Sequence, residues 1–234
     1  MMPLTVSALS LLLTSASFAA EQIECEGQTI VDEVYDDNVE LSGELCIFAN
    51  TTVNGNVTIN EGAGLIAEGT TIDGNVYGDK AEGLNLRALM GEPTVVTGNV
   101  LFDGGSLPGI FLVRGSTVEG NMEVSDWPGF LSVIGGNFEG NVEISGVDQR
   151  VQLVDTDVSG NVSLDDNGIV WLVKSNLEGN VEITDTVGLL WFNPGRLLPT
   201  QDNVIEGNLD CSGNGKVEVD SLSLNGNASG QCAQ

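Results

Sequence analysis

Apolar and polar residues alternate in short runs along most of this chain, and the runs recur around one dipeptide. Segments such as Phe138-Glu139-Gly140-Asn141-Val142-Glu143-Ile144 and Leu177-Glu178-Gly179-Asn180-Val181-Glu182-Ile183 put every second side chain on one face, the period of a β-strand with one buried side. A second alternating run precedes the next dipeptide, as in Phe111-Leu112-Val113, Val151-Gln152-Leu153 and Val170-Trp171-Leu172. Val118, Phe138, Val158 and Leu177 begin a third. Beyond residue 20 no 3.6-residue period appears, so the pattern predicts strands and no helix.

The Gly-Asn dipeptide occurs nine times in this setting, with its asparagines at Asn56, Asn75, Asn99, Asn121, Asn141, Asn161, Asn180, Asn208 and Asn227. Successive marks lie 19, 24, 22, 20, 20, 19, 28 and 19 residues apart. A period near 20 is that of a solenoid. Three short strands and three bends consume one repeat, so each repeat closes a coil and the next stacks on it about 4.8 Å away in parallel register. A leucine-rich repeat has a similar period, but its leucine stands two residues after the asparagine; here Val or a relative follows directly.

Stacked asparagines in equivalent bends can hydrogen-bond along the axis as a ladder. The glycine before each fits a bend where a side chain would clash or φ is positive. Asn56, Asn161 and Asn227 also match the glycan-acceptor pattern, although the repeat alone accounts for them. Four cysteines allow three pairings. The front and rear pairs stand eight repeat intervals apart, roughly 40 Å at about 4.8 Å each, beyond the ~7 Å reach of a disulfide. The expected bridges are therefore Cys25–Cys46 and Cys211–Cys232, each fastening a terminal coil where an open sheet edge would fray.

The recurrent Val-x-Gly-Asn-Val-x-Ile spacing over residues 53–228 resembles that of the right-handed parallel β-helix repeat proteins, a superfamily that includes pectate-lyase-like enzymes and the polymer-forming bactofilins. The resemblance implies an all-β, right-handed parallel β-helix, here of about nine to ten coils of roughly 20 residues. It specifies a fold and no activity. Residues 1–19, with an apolar run over 4–13 and small residues near Ala19 and Ala20, are expected to be a secretory signal peptide. Residues 20–234 then form one β-helix domain with insertions near 79–93 and 190–202. Export and paired cysteines together suggest a secreted or periplasmic protein.

Charge narrows the partners. A net charge of −27 repels nucleic acid and acidic lipid, while divalent cations and basic surfaces suit it. No later segment is long and apolar enough to span a bilayer. The chain contains no histidine, which removes the commonest general base and the usual zinc ligand. Asp155, Asp157, Asp165 and Asp166 are the nearest approach to a glycosidase carboxylate set, and the seven cations are scattered. Outward carboxylates should stack as Glu123, Glu143, Ser163, Glu182, Asp210 and as Glu119, Glu139, Ser159, Glu178, Glu206. Calcium would relieve their repulsion, as would hydration and the serine interruptions; no other cofactor is expected.

The face carrying the second strand is less polar, with Leu112, Ser132, Gln152 and Trp171 directed outward. The longest interval adds Trp191, Phe192, Leu197 and Leu198 in a loop. With Leu112 and Trp171 these form the candidate interaction surface. A second insertion over 80–93 carries Leu84, Leu86, Leu89 and Met90 and is expected to cover an adjoining face; Trp127-Pro128-Gly129-Phe130 reads as a turn with one partly exposed ring. The pattern as a whole points to an exported, non-catalytic rod with a structural, adhesive or surface-binding role, through a protein or polysaccharide partner or by self-association. The alternative is a polysaccharide-binding or polysaccharide-active protein in which Trp171 and Trp191 stack on sugar rings.

Overall fold

A computed structural model describes residues 20–107, 109–192, 202–219 and 222–233. Each repeat contributes one strand to each of three parallel sheets, of eleven, ten and ten strands. The first sheet runs from Glu21–Cys25 to Ala228–Gly230, the second from Thr29–Val31 to Lys216–Val219, the third from Val34–Tyr35 to Leu222–Leu224. The chain is thus an all-β parallel solenoid of about ten turns, and no helix occurs among the described residues.

Alternation decides what lies inside. In one turn Val142 and Ile144, Val151 and Leu153, and Val158 are buried while Glu143, Gln152 and Asp157 point out. Each buried aliphatic contributes about 1.5–3 kcal/mol. The corner between the second and third sheets carries a buried polar column, Thr51, Thr70, Thr94, Ser116, Thr156 and Ser175. Its hydroxyls donate to backbone carbonyls of their own or the preceding turn, as Ser175 Oγ does to Leu153 O at 3.2 Å. Gly136 breaks the column because a Cβ there would lie 2.8 Å from the Phe138 ring.

The asparagine ladder runs the length of the solenoid. Each asparagine from Asn56 to Asn227 donates its backbone N–H to Oδ1 of the asparagine one turn before, at 2.8–3.0 Å. It starts one turn earlier than the dipeptide does, at Asn38, where Asp37 replaces glycine. The glycines answer to contact: a Cβ on Gly140 would lie 2.5 Å from the carbonyl oxygen of Gly120. Both expected disulfides form, with Cα separations of 5.2 Å for Cys25–Cys46 and 5.5 Å for Cys211–Cys232. Two such bridges point to an oxidising compartment.

Two expectations change and a third is made specific. Leu84 and Leu86 belong to the strand Gly83–Arg87 and are core; the extra residues shrink to a turn closed by Leu89 and Glu92, with Met90 99% exposed at its tip. Phe192 is fully buried, because the alternation through Leu190 continues and stacks Leu190 on Val170 and Phe192 on Leu172. In the Trp127–Phe130 turn the tryptophan is buried, against Gly105, Gly109 and the edge of Phe111, and the partly exposed ring is Phe130. Leu197 and Leu198 lie outside the described residues.

Candidate interaction face

Five-residue strands of the second sheet offer three outward positions each, at the entry, the centre and the exit. Register stacks these into columns: Phe130 on Arg150 on Ile169 at the entry, and Leu112, Ser132, Gln152, Trp171, Trp191 and Glu218 at the centre. From Leu45–Ala49 to Leu189–Phe192 the outward residues are mainly aliphatic, aromatic or glycine. Arg87, Arg114 and Arg150 are its cations; Glu68 is its single carboxylate, and it pairs with Arg87. On a chain of net charge −27 this strip is not acidic.

Local packing explains the strip's densest part. The Arg150 guanidinium sits 4.3 Å from the Trp171 ring centre and 5.0 Å from that of Phe130. Such contacts stabilise by about 0.5–2 kcal/mol depending on desolvation. Trp191 meets Trp171 edge to face at 5.5 Å, and Gln152 Nε2 donates to Ser132 Oγ at 2.6 Å. Together these form a half-buried aromatic platform of large side chains. Four turns away, Gly64 and Gly83 occupy entry positions between Leu45 and Ile110. Their missing side chains leave a notch of about 180 Å³ bordered by Leu45, Ile66, Asn85 and Ile110.

The other faces are acidic. Glu123, Glu143, Ser163, Glu182 and Asp210 stack on the first sheet in the expected register. Glu119, Glu139, Ser159, Glu178 and Glu206 follow one another at the end of the third, each bonded through its backbone N–H to the turn before. Among the described residues no group of three or more His, Cys, Asp or Glu adopts a metal-holding arrangement. The four aspartates considered for acid–base work are not brought together. Asp157 lies on the third sheet, with Asp155 at the corner before it, whereas Asp165 ends a strand of the first sheet and Asp166 occupies the next corner.

An open depression of about 730 Å³ on the first sheet, lined by Tyr77, Asp79, Leu101, Asp103 and Glu123, was not evident from the sequence. Asp79 and Asp103 are direct neighbours there, and Ser125 Oγ donates to Asp103 at 2.8 Å. Its only sequence signal is Gly78 at an inward position, over which the Phe102 ring packs. Tyr35, stacked on Phe48, is perturbed: burial chiefly, then Glu21 and Glu33, raise its hydroxyl above the ordinary value.

No helix among the described residues is long and apolar enough to cross a membrane. The chain matches no model of a known protein family, no curated protein and no solved structure.

Proposed function

We propose that this protein is an exported, non-catalytic rod with a structural, adhesive or surface-binding role, and that it engages its target through the outer face of the second sheet. The carrying observation is the segregation of charge. Carboxylates crowd the other two outer faces, while the strands of this one from Leu45–Ala49 to Leu189–Phe192 present aliphatic and aromatic residues, three arginines and the single paired Glu68. Exposed apolar strips with aromatic and arginine residues are the composition of interface cores. The disulfides and the apolar N-terminal run support export to the cell exterior or the periplasm.

A second reading, polysaccharide binding, draws on the Phe130, Arg150, Trp171 and Trp191 platform, since flat rings suit sugar faces. Both are tested by retention of labelled protein on envelope fractions and on neutral and acidic polysaccharide beads. Trp171→Ser with Arg150→Ser should abolish retention, whereas Glu123→Gln with Glu143→Gln should not. Equal retention of all three proteins would overturn the assignment of this face. Retention confined to polysaccharide, with sugar released into solution, would overturn the non-catalytic reading.

A further inference from the structure

The geometry points to a second copy of this chain as the occupant of the second-sheet face, packed antiparallel about a two-fold axis through Ser132. This rests on the reading of that face as the contact surface and names its partner.

The first argument is electrostatic. Any face-to-face contact between two chains of charge −27 must avoid their carboxylates, and this strip holds only Glu68, already paired with Arg87. The second is area. The seven strands that this axis superposes, about 4.8 Å apart and about 16 Å long, present roughly 540 Å² a copy, or roughly 1,100 Å² for a pair. A specific interface needs to clear about 1,000 Å².

The third is shape. Ser132 is central on the strand Phe130–Ile134. A two-fold axis there lays Gly83–Arg87 across Ile169–Val173 of the other copy and Gly64–Glu68 across Leu189–Phe192. The Trp171–Trp191 platform thereby meets the notch floored by Gly64 and Gly83. Large side chains and a recess equidistant from one axis are what an isologous contact requires.

The fourth is rim charge. The axis lies in the contact plane along the strands, so exits face exits and Ile110–Arg114 lies across Arg150–Val154. Arg114 at an exit then faces Val154 and Asp155, the corner residue that follows it; Arg114 and Asp155 are both exposed and without an ion pair among the described residues.

The test is sedimentation velocity of the purified protein at physiological ionic strength. A dimer is expected at micromolar concentration. Gly64→Phe fills the notch without backbone strain, since a Cβ there meets the flexible end of Leu45 at 3.1 Å and the Gly83 backbone at an ordinary 3.6 Å; it should weaken dimerisation at least about tenfold. Arg114→Glu and Asp155→Lys, the latter placing at this corner the residue that Lys174 supplies at the next, should each weaken it about tenfold, and the double variant should restore it, because each two-fold contact is then reversed. Unchanged circular dichroism and melting keep the fold out of the comparison. A monomer at about 100 µM, or a dimer indifferent to these variants, overturns the inference. If that monomer still loses envelope or polysaccharide retention on Trp171→Ser, the face keeps its role and only its occupant is wrong.

Discussion

Replacing Gly140 by Ala tests why the ladder needs glycine. The new Cβ would stand 2.5 Å from Gly120 O, 2.6 Å from Gly120 C and 2.7 Å from Asn121 Oδ1. An ordinary carbon–oxygen contact is about 3.3 Å, so the two turns must part locally by about 0.8 Å. The bond from Asn141 N–H to Asn121 Oδ1, now 2.8 Å, would stretch beyond hydrogen-bond range. Overpacking of about 1–3 kcal/mol and one lost bond of about 0.5–1.5 kcal/mol give a cost of roughly 2–4 kcal/mol. Gly62 is the control: its φ is +76° and nothing lies within 4 Å of a built Cβ. There Ala should cost about 1–2 kcal/mol through φ alone, and Asn, which tolerates that region, less. At Gly140, Asn should cost as much as Ala. Guanidinium denaturation measures the differences, and amide exchange should place the Gly140 damage in the two flanking turns. A Gly140→Ala cost under about 1 kcal/mol, or rescue by Asn, would refute close approach as the cause.

Other outcomes follow from the ends and the charge. Replacing Cys211 and Cys232 by Ser should cost about 3 kcal/mol for a loop of this length, and amides of 222–230 should lose exchange protection before those of 130–154; uniform loss would contradict a local staple. Because the Tyr35 hydroxyl is raised above its ordinary value of 10.0, the folded form holds that proton more tightly than the unfolded one. Its contribution is complete below pH 10 and declines as pH rises toward the folded value; Tyr35→Phe should remove that decline in an alkaline melting series. Raising ionic strength from about 10 mM to about 150 mM shortens screening from about 30 Å to about 8 Å and should raise Tm. Calcium should add no more than magnesium at equal ionic strength; a calcium-specific rise lost in Glu123→Gln with Glu143→Gln would instead place a cation site in that column.

The repeat and the alternation made the fold legible because backbone pairing converts a distance of about 20 residues into direct contact. Three features resisted the same reading for physical reasons. Asn38 escapes the dipeptide because Asp37 precedes it, and among the described residues no glycine carbonyl lies beneath Asp37. Thr51, Thr70 and Thr94 look like turn residues, yet each is buried, which is acceptable only because their hydroxyls find backbone carbonyls across the turn. Phe192 reads as part of the loop that follows it, since sequence alone does not show where a strand stops before an insertion.

The candidate face was legible in part. Leu112 and Trp171 stand where alternation places them, and Trp191 continues their column. The cation–π contact of Arg150 and the Gly64–Gly83 notch arise only when turns are superposed, because the partners are separated by whole repeats.

Acrylamide quenching of tryptophan fluorescence shows whether association occurs through the second-sheet face. The protein has three tryptophans; Trp127 is buried, while Trp171 and Trp191 are partly exposed on the face. In a Trp127→Phe variant, quenching should fall as concentration rises through the association range. Association with quenching unchanged would show that the contact lies elsewhere on the solenoid.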